Sequence, residues 1–361
     1  MKDISSMTDE ELIAYIDHCD TKYIEFKILQ ESLKVLCNGI YGCMGNQYFR
    51  FYDLRMAEAI TLTGQAVIES SSDFMNVYMN NLCKTEEQDY VLALDTDSNY
   101  IDFSDLVKRV ASGKTEDQIV EFLDQLAKLK IQPYIADQYA KFNDRTNAYE
   151  NRLFMKRESI GKALFLDKKK RYIMKVYDNE GIRFAVPEMK IMGLESVRSD
   201  FPKWCRTRLE ECFTMLFDFT QETLWEKVED VRKGFFKLNV MEMAKPTSIS
   251  DLDKYLGAGG LPIKGATAAA KGSAYFNLNV KKYKIGSEYQ KIESGDKIRL
   301  LPLKLPNPLR IEAVAFKDKL PVEFGIDNYV DKHSLFSKNF ILPLERVVAV
   351  IGWSTEQRYG I

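Results

Sequence analysis

Histidine is nearly missing from these 361 residues, occurring only at His18 and His333. That scarcity excludes a His-rich zinc centre and argues against imidazole acid–base chemistry, so any catalysis must rest on carboxylates and cations. The six cysteines, Cys19, Cys37, Cys43, Cys83, Cys205 and Cys212, show no C-x-x-C spacing. They fit reduced thiols buried as small hydrophobes better than a disulfide framework. Long apolar runs are lacking too. No stretch approaches the roughly 20 residues of a membrane span, and the segment Met1 to Glu11 has no apolar signal-peptide core. An intracellular protein with no membrane partner is the expectation. Internal repeats and low-complexity tracts are also missing, and the glycines from Gly257 to Gly265 lack the G-K-[ST] ending of a phosphate-binding P-loop.

What is present is a chain, 45% hydrophobic, able to bury a substantial core in two or three domains. The small net charge of −2 hides segregation: residues 151–175 hold nine Lys/Arg against two Asp/Glu, and residues 264–300 hold eight against three. A polyanion-binding face would look like this, although a solvated charged surface is the commoner explanation of any single run.

The most informative stretch is Tyr90-Val91-Leu92-Ala93-Leu94-Asp95-Thr96-Asp97-Ser98-Asn99-Tyr100-Ile101-Asp102-Phe103. Apolar runs on both sides of a polar apex read as two strands and a tight turn. A surface hairpin using Asp for its turn chemistry is one reading. The entering strand is apolar enough to place the apex on a largely buried sheet, however, and two carboxylates one residue apart repel unless a cation neutralises them. Oxygen donors of that kind suit Mg²⁺, which takes one or two carboxylates and leaves its other positions to water and phosphate. The chemistry indicated is phosphoryl transfer.

Thr8 and Glu11 form a capping-box pattern opening a helix over 8–41, with an interruption suggested near Asp20. Lys27, Lys34, Asn38 and Tyr41 fall on one stripe of it, followed by glycines that let backbone approach a ligand. That stripe is either the wet side of the helix or a holder of a triphosphate and a base pair. Helices are expected again over Arg55–Cys83 and Glu116–Phe142, strands over Leu153–Ile160 and Arg171–Tyr177, and one helical run from Phe201-Pro202 to about Phe236. Lys168-Lys169-Lys170-Arg171-Tyr172 heads the second strand. If that strand shares the sheet of Asp95 and Asp97, its cations can reach a nucleic-acid backbone, with Glu158 a third carboxylate near the apex.

Taken in order, these motifs resemble the carboxy-terminal half of a family B DNA polymerase, nearest the T-even-like bacteriophage branch. Lys34-Val35-Leu36-Cys37-Asn38-Gly39-Ile40-Tyr41-Gly42 is similar to the fingers motif K-x-x-x-N-S-x-Y-G, Asp95-Thr96-Asp97-Ser98 to the palm motif D-T-D-S, and Lys169-Lys170-Arg171-Tyr172 to K-K-R-Y. Phe49 to Arg55 and Lys190 to Glu195 also have close phage counterparts. The resemblance implies an α+β fold: a palm sheet with packed helices, a helical fingers remnant and a mixed, mainly helical thumb, divided as residues 1–46, 47–193 and 194–361. It implies that Asp97 is a ligand of two catalytic Mg²⁺ ions, that Asp95 lies beside the primer terminus, and that Glu158 is an auxiliary carboxylate. Lys34 and Asn38 would contact the phosphates of the incoming dNTP, and Tyr41 the minor-groove side of the nascent pair. Thr96, Lys169, Lys170, Arg171 and Tyr172 would serve primer–template DNA. Minor-groove acceptors occur on every base pair, so a donor there tests pair geometry without reading sequence.

Departures from the family pattern matter as much. Gly39 replaces the usual serine, and Gly352 to Ile361 does not resemble a sliding-clamp-binding tail. No exonuclease carboxylates and no D-x-x-S-L-Y-P motif, whose aspartate is the other bridging metal ligand, are found in the chain. The expectation is one polypeptide of a split polymerase, inactive alone, working with an N-terminal polymerase/exonuclease polypeptide and replisome proteins in the cytoplasm of an infected host cell. The rival is a non-catalytic primer–template-binding module or a truncated fragment.

Overall fold

A capping signal starts the first helix, α1 (Asp9–Met44). Thr8 Oγ1 accepts from the Glu11 amide at 3.3 Å, Glu11 Oε2 accepts from the Thr8 amide at 2.9 Å, and Asp9, Glu10 and Glu11 complement the positive end of the helix dipole. No interruption occurs at Asp20, because neither glycine nor proline lies near it to stop propagation. The computed structural model describes Ile4 and residues 7–355, so residues 356–361 of the tail compared above lie outside the described residues. Packing divides the chain into two units, residues 1–113 and 114–361.

In the first unit, α2 (Leu54–Cys83) follows α1 and starts from Asp53, whose carboxylate accepts from the Arg55 amide at 3.0 Å. Ile68, Ser71, Met75 and Met79 recur every three or four residues and form its buried stripe. On α2 packs a two-stranded antiparallel sheet, β1 (Val91–Asp95) with β2 (Ser98–Ile101), and then comes α3 (Ser104–Val110). Two side chains of α2 fix this hairpin: Asn76 Oδ1 accepts from the amides of Tyr90 at 2.8 Å and Val91 at 3.1 Å, and the Ser71 hydroxyl accepts from Asn99 at 2.8 Å. The strand is less buried than its apolar sequence suggests. Tyr90 and Val91 are buried but Leu92 is 51% exposed, since two strands on one helix leave a face uncovered.

The second unit opens with α4 (Glu116–Leu126), a π-helical turn over Ala127–Ile131, and α5 (Gln132–Thr146). Pro133 explains the turn: it lacks an amide and its ring presses on the carbonyl four residues back, and one widened turn absorbs both defects. An antiparallel sheet in the order β3 (Ser159–Lys168), β4 (Arg171–Asn179), β5 (Ile182–Met192) comes next. Its first strand begins six residues later than the sequence suggests. The preceding segment is held instead by Arg157, which is nearly buried and bonds Asp124 Oδ1 at 2.6 Å as well as Asp178. The helical run expected over 201–236 is two helices, α6 (Lys203–Met215) and α7 (Gln221–Lys237), separated at 216–220. Beyond them lie α8 (Val240–Met243), β6 (Lys245–Ser248), α9 (Ala268–Tyr283), β7 (Lys297–Pro302), β8 (Ala313–Phe316), α10 (Lys332–Phe336) and α11 (Leu342–Val348), with β6, β7 and β8 forming a further antiparallel sheet.

One core runs from Ile173 on β4 through Leu209 and Phe213 on α6 and Phe235 on α7 to Phe316, Phe336 and Leu344. Each such side chain contributes about 1.5–3 kcal/mol on burial, so this core holds the unit's sheets and helices together. The architecture is α+β, with helices segregated from small antiparallel sheets. Among the described residues no helix is long and apolar enough to cross a membrane. The cysteines divide evenly against expectation: Cys83, Cys205 and Cys212 are buried, whereas Cys19 and Cys37 are exposed and Cys43 is intermediate.

Candidate catalytic and nucleic-acid-binding site

The turn between β1 and β2 consists of Thr96 and Asp97, framed by the pair Asp95 and Ser98. Thr96 takes φ 57°, and the Asp97 amide donates to the Asp95 carbonyl at 2.6 Å. An i to i+2 bond around a positive-φ residue is the rarer, strained kind of γ-turn, and a β-branched residue is its least suited occupant. The Thr96 hydroxyl donates to Asp95 Oδ1 at 3.1 Å. Asp95 is half-buried and Asp97 exposed, so the two carboxylates stand at an accessible tip. As hard oxygen donors they fit Mg²⁺, which needs only one or two carboxylates from a protein. Among the described residues no group of three His, Cys, Asp or Glu could form a protein-only metal cage.

Lys34, Asn38 and Tyr41 occupy the last third of α1 and are all exposed, Tyr41 by 42%. Among the described residues α1 buries no side chain at all. Phe26, Leu29, Leu33, Leu36 and Ile40, each more than half exposed, repeat at spacings of three and four. At about 100° per residue this seam lies roughly 130° around the helix from the Lys34 stripe. It is the a/d pattern by which one helix packs on another, and Ile24, Ile28 and Val35 add apolar residues on a different face.

The remaining candidates lie in the second unit. Arg171 does not head a strand of the Asp95–Asp97 sheet, contrary to expectation: the hairpin is its own two-stranded sheet, and β4 is flanked on both edges by β3 and β5, with no open edge to accept it. Glu158 Oε1 accepts from Lys190 Nζ at 2.7 Å. Lys169 and Lys170 form the exposed two-residue turn between β3 and β4, Lys170 at φ 64°. The other half of K-K-R-Y turns inward: Arg171 is bonded to Asp167 and Glu195, and Tyr172 is 5% exposed.

The basic stretch 151–175 is largely neutralised. Arg152, Lys156, Arg157, Lys162, Arg171 and Lys175 all pair with carboxylates, and Lys168, Lys169 and Lys170 are exposed. In the other stretch Lys281, Lys282 and Lys284, at the end of α9, are exposed and, among the described residues, have no ion pair. Hydrogen bonds from Lys162 and then Tyr177 hold Glu116 below the usual carboxylate range, while burial and that same carboxylate push the Tyr177 phenol up. This pair ties α4 to the sheet. Sequence reasoning missed Asn76, which seats the hairpin, and Glu195, which seats Arg171. Asn76 carries no local signal, and Glu195, although it ends the stretch Lys190 to Glu195 matched above, gives no sign in the sequence that it pairs with Arg171.

The sequence pattern of DNA polymerase family B matches residues 16–300. The chain is 31% identical over 375 residues to the DNA-directed DNA polymerase of Enterobacteria phage T4, covering 100% of this chain and 41% of that relative. It is 32% identical over 330 residues to the DNA-directed DNA polymerase of Escherichia phage RB69, covering 88% and 36%. It is also 25% identical over 239 residues to the DNA polymerase alpha catalytic subunit of Mus musculus, covering 64% and 14%. The chain belongs to DNA polymerase family B and is similar to the polymerases of T-even phages. It spans about two fifths of the length of the phage relatives it matches.

Proposed function

We propose that this chain is the synthesising polypeptide of a two-chain family B polymerase, adding nucleotides from dNTPs to a primer 3′-OH under a DNA template. The first unit would supply Asp97 and Asp95 as metal carboxylates, Lys34 and Asn38 for the triphosphate, and Tyr41 beside the minor groove of the new pair. Mg²⁺ held by that tip would activate the primer hydroxyl and neutralise charge on the departing pyrophosphate. Lys34 would add a charge-assisted contact to the phosphates, and the amide of Asn38 a neutral one. Thr96 sets the angle between the two carboxylates. Lys169 and Lys170 would bind primer phosphates from an exposed turn, with Arg171 and Tyr172 supporting them from below. Glu158 keeps an auxiliary place in this reading.

The observation that carries the two-chain reading is α1: thirty-six residues with no buried side chain and an exposed apolar seam. A solvated surface of that size on a stable protein marks an interaction site, and the three–four spacing suits a helix from the N-terminal polypeptide. The same polypeptide would bring the second bridging aspartate and the exonuclease. With fewer carboxylates the site would hold its ion less firmly, and about 1 Å of misplacement of reacting groups can cost on the order of 10²-fold in rate. The reading sets this work in the cytoplasm of an infected cell.

Primer extension with Mg²⁺ tests the proposal, using this chain alone, then with the N-terminal polypeptide, then with Asp97→Ala in the mixture. Activity should appear only in the second reaction. Robust extension by the chain alone would refute the two-chain reading, and extension that survives Asp97→Ala would refute the metal assignment.

A further inference from the structure

The turn carrying Lys169 and Lys170 is held in a conformation that its sequence does not favour. Lys170 sits at φ 64°, where glycine or asparagine is the ordinary choice, and a strained residue of this kind persists only when its surroundings over-determine it. Three features do so. Gly193, itself at φ 66°, passes so close beneath the turn that a Cβ on it would lie 2.3 Å from the Lys170 carbonyl oxygen. Asp167 is the extra residue of a β-bulge, since Leu166 pairs with Tyr172 and Lys168 with Arg171. The bulge re-aims its carboxylate, which accepts from Arg171 Nε at 2.9 Å. Glu195, 3% exposed, accepts from Arg171 Nη2 at 3.1 and 3.3 Å and from Arg346 Nη1 of α11 at 3.1 Å.

A buried carboxylate shared by two guanidinium groups has a large desolvation cost that the pairing must offset. Replacing such a group by a hydrophobic residue is often neutral for stability, so stability alone does not account for it. Its geometric effect is specific: Arg171 directly follows Lys170, and fixing the guanidinium at both ends fixes the backbone on which the turn rests.

We propose that Glu195 is the positioning residue of the Lys169–Lys170 turn, holding it through Arg171 so that its ammonium groups meet the phosphates of the primer strand. This rests on the reading of Lys169 and Lys170 as DNA contacts. The proposal makes a prediction of sign. Glu195→Gln removes a negative charge near a DNA-binding turn, so charge counting alone predicts tighter DNA binding. Positioning predicts weaker binding, by roughly tenfold, comparable to losing one charge-assisted phosphate contact.

The measurement is fluorescence anisotropy of the full chain on a recessed primer–template across a salt series, well below the melting temperature of each variant. The Lys169→Ala/Lys170→Ala double variant should weaken binding and lower the slope of log affinity against log salt by about two. Glu195→Gln should weaken binding in the wild-type chain and change it less than twofold in the double variant. Unchanged or tighter binding by Glu195→Gln, or an equal loss in both backgrounds, would overturn the positioning role while leaving the DNA contacts standing. If the double variant binds as wild type does, or the chain does not bind the duplex, the DNA-contact reading falls and takes the inference with it. Should Glu195→Gln fail to fold, Asp167→Asn carries the same test, because it too removes a carboxylate from Arg171: weaker binding supports the proposal and equal or tighter binding overturns it.

Discussion

Replacing Gly193 by alanine should destabilise the second unit by more than its backbone angle accounts for. A non-glycine residue at φ 66° costs roughly 1–2 kcal/mol. The added Cβ would also lie 2.3 Å from the Lys170 carbonyl oxygen and 3.1 Å from Arg171 Cγ. The first of these is backbone, so the turn must move, at a cost of about 1–3 kcal/mol typical of overpacking. The total is about 2–5 kcal/mol. Gly265→Ala is the control, since Gly265 has φ 87° in the same unit and open space where its Cβ would stand, leaving only the angular cost. Trp204, Trp225 and Trp353 all lie in the second unit, so tryptophan emission in urea follows that unit alone. With m unchanged, the midpoint of Gly193→Ala should fall below that of Gly265→Ala. Equal losses would show that the close approach beneath the turn carries no energy, and would remove one of the three restraints on Lys170.

Three further outcomes are expected. In the reconstituted enzyme Lys34→Ala should raise the nucleotide KM or lower kcat with DNA affinity nearly unchanged, through loss of a contact worth roughly 1.5–3 kcal/mol; unaltered nucleotide kinetics would defeat the triphosphate assignment. Burial works to raise the carboxyl of Asp124, but hydrogen bonds from Lys128 and Arg157 outweigh it and hold the group below the usual carboxylate range. A depressed folded pKa gives stability that is present above the unfolded value of about 3.9 and lost as pH falls through the folded one. Asp124→Asn should therefore cost about 3–5 kcal/mol at neutral pH, with the gap to wild type narrowing below about pH 4 in urea titrations; a constant gap would contradict the assignment. Finally, burial pushes the thiols of Cys205 and Cys212 up to about 12, while Cys19 and Cys37 are exposed. Iodoacetamide at pH 8, read by peptide mass, should modify Cys19 and Cys37 in the folded chain and reach Cys205 and Cys212 only after unfolding.

Much of the fold was legible where local rules decide it. Thr8 and Glu11 open α1 as a capping box should, and α2 and the β1–β2 hairpin stand where the sequence pattern puts them. The errors fall where tertiary contact overrides the local pattern. Leu153 to Glu158 has strand composition, yet the pull of Arg157 toward Asp124 and Asp178 keeps it out of the ladder. The apolar residues of β1 suggested a largely buried sheet, but two strands on one helix leave a face uncovered. A run of cations at 151–175 said nothing about which of them meet carboxylates from distant segments, and that pairing decides where the charge faces outward.

The two motif turns share a feature that composition hides. Thr96 at φ 57° and Lys170 at φ 64° both stand where hairpins ordinarily place glycine, asparagine or aspartate. Of the other non-glycine residues at positive φ, Lys84, Asn147 and Lys284 are left-handed caps at helix C-termini, and Glu180 stands in the turn between β4 and β5. Neither Thr96 nor Lys170 ends a helix, and glycine in either place would relieve the angle while deleting the hydroxyl on Asp95 or the ammonium on the turn. Strain of about 1–3 kcal/mol per residue is retained where the side chain is needed and the neighbourhood is stiff enough to hold it. At Lys170 that stiffness comes from Gly193, Asp167 and Glu195, and at Thr96 from a hairpin seated on Asn76 and Ser71. Which residues hold these two turns at a fixed angle comes into view only when the chain is folded.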